Sequence, residues 1–159
     1  MSNHKLAKVG SLLLAVLLLG GLDQWLKYYL GFLQQGALHW GPVDLVWHTN
    51  PGIAFSINLP APLAITLVII LLSVLIMLFW WSQGRGLIYD GGLLLVIGGG
   101  ASNLWDKLHW GFVRDFVSVG WLPIFNLADV FIFVGIIMII LGVSYGERQT
   151  FRRERYQKI

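Results

Sequence analysis

Two aspartates, Asp115 in G-F-V-R-D-F and Asp129 in F-N-L-A-D, lie in a sequence that is otherwise mostly compatible with lipid. Two carboxylates brought within about 3 Å cannot both ionise, so one keeps its proton and its pKa rises. The ionised partner can then take a proton from water while the protonated one hydrogen-bonds a carbonyl. Such a pair titrates as a unit, and the sequence leaves open which aspartate is the first base. Other chemistries have less to work with. There is no cysteine and no G-x-S-x-G, and Ser56, Ser102 and Ser118 stand alone, more in keeping with hydrogen-bonding residues than with nucleophiles. Asp106 and His109 in D-K-L-H form a single i,i+3 pair, while His39 and His48 are scattered through an earlier segment, so no metal site is expected.

Elements that could hold such a pair follow from composition. Apolar residues make up 57% of the chain, charged residues 12%, and the mean hydropathy is +0.72, values far from those of a soluble domain. The 159 residues suffice for one membrane-embedded domain with little left for a soluble module. Apolar runs long enough to cross about 30 Å of hydrocarbon predict spanning helices over approximately 9–30, 62–81, 87–105 and 122–145. Leu63 to Trp81 carries no charge, whereas the first and fourth runs contain Asp23 and Asp129 about two turns in. The start of the chain, Lys5 to Gly21, has the basic and apolar character of a signal peptide. It is expected to remain as a span, because no A-x-A site follows and the run continues toward Lys27.

Eight of the eleven basic residues fall on one side of this arrangement: Lys5, Lys8, Arg85, Arg148, Arg152, Arg153, Arg155 and Lys158. The positive-inside rule therefore predicts cytoplasmic termini, with the 31–61 and 106–121 connections facing outward. The basic tail 146–159 reads as a solvated run attracted to anionic lipid, not as a nucleic-acid site. In the first outward connection, V-D-L-V-W-H-T-N is β-branched and aromatic and predicts a strand of a small sheet on the outer leaflet. Trp40, Trp47, Trp110 and Trp121 flank these segments, as rings seated at a membrane interface would. The fold class is thus mostly α: four transmembrane helices with a small extracytoplasmic cradle containing β structure.

This topology puts Asp23, Asp106, Asp115 and Asp129 on the same side. A carboxylate facing lipid would cost several kcal/mol, so Asp23 and Asp129 should face the bundle interior or a wet cavity. Each acid could instead hold helices together. Asp23 could pair with Lys27 at i,i+4, and Asp106 with Lys107 or Lys27. Asp129 has no basic residue within a turn or two. Arg114 adjoins Asp115, but neighbours in an extended segment point to opposite faces.

Five ordered motifs together resemble the lipoprotein signal peptidase, or signal peptidase II, family: L-D-Q-W-L-K at 22–27, N-P-G-I-A-F-S at 50–56, N-L-W-D-K at 103–107, G-F-V-R-D-F at 111–116 and F-N-L-A-D at 125–129. The resemblance covers nearly the whole chain and implies an aspartic endopeptidase of the bacterial inner membrane. It places the catalytic dyad on Asp115 and Asp129. Asn50, Gly52, Asn103 and Asn126 match polar or supporting positions around the cleft, Asp23 and Lys27 match the first-span motif, and Asp106 with Lys107 matches an Asp-Arg pair. The implied substrate is a prolipoprotein signal peptide whose cysteine carries diacylglycerol, cut on the N-terminal side of that cysteine. Membrane lipid is the other expected partner, a monomer the expected state, and no cofactor or nucleic acid is implied.

Three positions depart from the family pattern: Lys107 in place of arginine, Ser102 in place of the glycine before Asn103, and Arg114 in place of an apolar residue. Arg114 is expected to point to the interface and meet lipid phosphate or substrate. Two other classes stay open: a transporter using the acids as a proton or cation relay, recognisable by flux without cleavage, and a non-catalytic lipopeptide binder, recognisable by capture without product. The 31–61 segment is expected to act as a lid over the cleft.

Overall fold

A computed structural model describes residues 3–52, 59–82 and 86–157, with side chains described between Leu6 and Ser144 within those limits. Residues 53–56 of N-P-G-I-A-F-S, Ser56 among them, and Arg85 lie outside the described residues, as do the side chains of Lys5 and of the basic tail.

The first span is built in pieces: α1 (Asn3–Ala15), one wide π turn over Val16–Gly20, and α2 (Gly21–Tyr29), continuing as a 3-10 turn over Leu30–Gln35. After the outward segment come α3 (Ala61–Trp81), α4 (Leu87–Trp110) and α5 (Leu127–Gln157). Among the described residues, four helical stretches are long and apolar enough to cross a membrane: Leu6–Gln35, Ala61–Trp81, Leu87–Trp110 and Leu127–Ser144.

Helix α3 is the most lipid-like. Pro62 near its start supplies a preset φ, and only Ala64 and Phe79 are buried along its length. Its hydroxyls need no partner helix, because Thr66 donates to the Pro62 carbonyl and Ser73 to that of Ile69, one turn back. At the opposite extreme, α4 is the central helix and packs closely on α5 through glycine. A Cβ at Gly92 would lie 2.7 Å from the Gly135 carbonyl oxygen, and one at Gly99 would lie 2.5 Å from that of Ala128. Only hydrogen at these positions lets the two backbones approach so far without a clash, the packing mode that replaces the hydrophobic effect between helices in lipid.

Between α2 and α3 the chain makes a hairpin of β1 (Leu38–Trp40) and β2 (Val43–Asn50), turning at Gly41 with φ of +61°. A third strand, β3 (Val113–Val119), pairs antiparallel with β2 to give the order β1-β2-β3. The register sets His48 opposite Asp115, Thr49 opposite Arg114 and Asn50 opposite Val113, with an irregularity between Leu45 and His48. Leu30, Leu33 and Phe116 form a small apolar core under this sheet, joined by Leu26, Leu45, Trp47, Val117 and Leu127.

The strand expected in V-D-L-V-W-H-T-N is β2. Three other expectations need correction. The third helix runs on to Trp110 instead of stopping at 105, so Asp106 lies within it. The fourth starts at Leu127 instead of 122, because Val117 and Phe125 form a bridge that keeps the preceding residues extended. Trp47 packs into the core under the sheet, while Trp40 and Trp121 are 84% and 91% exposed.

Candidate active site

Asp129 occupies the first turn of α5, not a position two turns in, and Asn126 caps that helix. The Asn126 side-chain oxygen accepts the Asp129 backbone N–H at 2.9 Å, and Asp129 Oδ2 accepts the Asn126 backbone N–H at 3.1 Å. This reciprocal box satisfies orphan donors at the helix start and fixes the carboxylate where the helix dipole favours negative charge. A second donor, Asn103 Nδ2 of α4, reaches Asp129 Oδ1 at 2.8 Å.

Asp115 stands within β3 and is not on a loop, and it is only 1% exposed. Asn126 Nδ2 donates to its Oδ1 at 2.6 Å and Asn50 Nδ2 to its Oδ2 at 3.2 Å. Asn126 therefore touches both acids, one through its cap and one through its amide. Burial, and after it the nearby Asp129 carboxylate, pushes the Asp115 carboxyl up to about 7, against the pull of the Asn50 and Asn126 hydrogen bonds and the Lys27 charge. A group poised near neutrality can hold or release a proton under physiological conditions.

Behind the pair lies a network with no exposed charge. Lys27 Nζ meets Asp23 Oδ2 at 2.6 Å, Asp106 Oδ2 at 3.1 Å and Asn103 Oδ1 at 3.0 Å. Asp23 and Lys27 are completely buried, so the i,i+4 pairing expected for them is observed. Asp23 also accepts the Ala128 backbone N–H at 3.0 Å and the Ser102 hydroxyl at 2.6 Å, tying α2 to the start of α5 and to α4. Ser102 is thus a working contact of this chain.

Lys107 does not pair with Asp106. Its Nζ donates to the Pro51 carbonyl at 2.7 Å, and Asn50 Oδ1 accepts the N–H of buried Gly52 at 3.0 Å, so the end of β2 is fastened over the acids. Arg114 contradicts the expectation that it would reach the interface: it is 8% exposed, and its guanidinium binds Asp106 and Gln24. His109 stacks on Trp105, while the Asp106 carboxylate is taken up by Lys27, Gln24 and Arg114. Gln24 went unnoticed in the sequence. Its place beside Asp23, three residues before Lys27, was the available signal.

Four long apolar helices and a three-stranded sheet among the described residues, with buried Asp115 and half-buried Asp129 joined by one asparagine, define a membrane protein with a paired-carboxylate centre. A family model described as signal peptidase (SPase) II matches residues 14–145, and the chain belongs to that family. It is 35% identical to a protein named lipoprotein signal peptidase from Brucella ovis, over 92% of this chain and 95% of that one. It is 31% identical to one of the same name from Syntrophomonas wolfei, over 88% of this chain and 95% of that one. Among solved structures, a bacterial membrane enzyme superposes with a TM-score of 0.74 at 23% identity, covering 86% of this chain and 89% of that one, a likeness of fold. A second superposes with a TM-score of 0.73 at 25% identity, covering 85% and 93%.

Proposed function

We propose that the protein is an intramembrane aspartic endopeptidase that removes signal peptides from diacylglyceryl-modified prolipoproteins, cutting on the N-terminal side of the lipidated cysteine. One observation carries this reading: Asn126 binds both Asp115 and Asp129 at the end of the bundle where β3 meets α4 and α5. The family membership and the relatives named lipoprotein signal peptidase support the choice of substrate.

The two acids suit different halves of the reaction. Asp129 accepts two N–H hydrogen bonds at the start of α5, which fix the orientation of its carboxyl group. Asp115, raised to about 7, keeps its proton and donates it toward the scissile carbonyl. Asp129 then accepts a proton from the attacking water, and a tetrahedral diol forms. Asp129 gives that proton to the leaving nitrogen while Asp115 takes one back from a diol hydroxyl; the C–N bond breaks, the carboxyl product forms, and the pair again holds a single shared proton. Asn50, Asn103 and Asn126 hold the carboxylates so that little reorganisation is needed during the reaction.

The protein sits in the bacterial inner membrane with both termini cytoplasmic and the acids near the outer leaflet. Diacylglyceryl chains then stay in lipid while the peptide enters beside β2. The test is to supply reconstituted protein with a diacylglyceryl-cysteine precursor peptide and its unmodified counterpart, and to identify the products by mass. Release of a fragment beginning with the lipidated cysteine, from the modified peptide alone, is expected. Cation flux without a peptide product would overturn the reading.

A further inference from the structure

Arg114 lies next to Asp115 in sequence, yet its contacts lie with α2 and α4. Along a strand, neighbouring side chains leave opposite faces, so β3 presents Asp115 to Asn50 and Asn126 and turns Arg114 toward the helices. There Nη2 donates to Asp106 Oδ1 and to Gln24 Oε1, both at 2.6 Å, and Nε reaches Asp106 Oδ2 at 3.3 Å. The Arg114 backbone N–H adds a 3.0 Å bond to the same Oδ2. Gln24 closes the ring, its Nε2 donating to Asp106 Oδ1 at 2.7 Å and to the Ser102 hydroxyl at 3.0 Å. The guanidinium also lies over the Trp110 ring, 5.6 Å from its centre. One carboxylate of α4 thus grips β3 by main chain and side chain, one residue away from Asp115.

From this geometry we infer that Arg114 is a positioning residue, the β3 end of a Gln24–Asp106–Arg114 clamp that holds Asp115 in place against Asp129. The inference rests on the proposal that these two aspartates are the reacting pair. A planar fork suits the task, because two donors fix an orientation that a point charge leaves free. Besides its backbone bonds to β2 and to Phe125, β3 is tied by the clamp to two membrane helices. A displacement of about 1 Å in a reacting group can lower turnover about 100-fold.

The test compares wild type, Arg114→Met, Arg114→Lys, Gln24→Leu and the Arg114→Met/Gln24→Leu double variant on the diacylglyceryl precursor peptide, with rates expressed per folded molecule. Arg114→Met should lower kcat about 30- to 100-fold with KM changed less than about threefold, the signature of lost positioning with intact binding. Arg114→Lys should recover a large part of that loss by keeping the ion pair to Asp106. Gln24→Leu should lower kcat by itself, and the double variant should be little worse than Arg114→Met, because both changes break one clamp. Unchanged kcat in Arg114→Met, a rise in KM alone, or multiplicative losses in the double variant would overturn the inference. If Arg114→Met does not fold, Gln24→Leu decides: a fall in kcat at constant KM supports the clamp, and wild-type kcat refutes it. Wild-type protein that fails to cleave the peptide at all would refute the proposed function and the clamp with it, whereas active wild type with fully active clamp variants would refute the clamp alone.

Discussion

Asp115 and Asp129 carry the same functional group in unlike settings. Asp129 is built into a helix cap, while Asp115 is enclosed in a strand facing a second carboxylate. The raised pKa of Asp115 has a consequence for stability. Its value goes from 3.8 to about 7 on folding, so the folded protein holds a proton that the unfolded chain releases between those limits. Stability is therefore lost as pH rises through this window, and the loss is complete above about 7. Asp115→Asn removes that ionisation, so its melting temperature should exceed that of wild type at about pH 8, by a margin that shrinks toward pH 4. Thermal unfolding in detergent across this range checks the sign. A variant less stable than wild type at pH 8, with a gap that widens with pH, would contradict the assigned environment.

At the scale of elements, the acids depend on how α4, α5 and β3 meet. Gly99 is packed against the carbonyl of Ala128, the residue immediately before Asp129 whose own N–H Asp23 holds. Gly92 makes an equally close contact with Gly135, but two turns farther from the site. Overpacking at either position should cost about 1–3 kcal/mol. Gly99→Ala should also lower kcat per folded molecule about tenfold or more, because it displaces the start of α5. Gly92→Ala should lose stability while the folded fraction keeps near-wild-type turnover. Equal effects on kcat would show that the distinction is wrong.

The sequence foretold some of these elements better than others. Uncharged runs announce spanning helices directly, and β-branched, aromatic composition marked β2. Strand β3 was obscured because its partner lies more than sixty residues earlier and its alternation is broken by buried Arg114 and Asp115. Gln24 escaped for a related reason: its role exists only once α2, α4 and β3 converge. The fate of Lys107 and Arg114 followed the same pattern. Charge offered Asp106 either Lys107 or Lys27 as a partner; geometry gives it Lys27 and adds Arg114, while Lys107 turns to the Pro51 carbonyl.

For the whole molecule, the buried charges form a keystone between helices. Lys27 sits between Asp23 and Asp106 without access to solvent, and Arg114 covers the other side of Asp106. Breaking such a network from one side leaves carboxylates unpaired, which typically costs about 3–5 kcal/mol. Lys27→Met should therefore lower stability by that order and reduce the yield of folded protein, measured by denaturation in mixed micelles. A stable, fully active Lys27→Met protein would mean that the bundle does not depend on this centre. The central claim concerns the pair that this network supports. Its most direct test measures cleavage of a diacylglyceryl-modified precursor by wild type, Asp115→Asn and Asp129→Asn, with binding of the lipidated peptide followed in parallel. Each single change should abolish product while the folded protein still binds the peptide; turnover surviving in either variant would contradict the assignment of Asp115 and Asp129 as the catalytic pair.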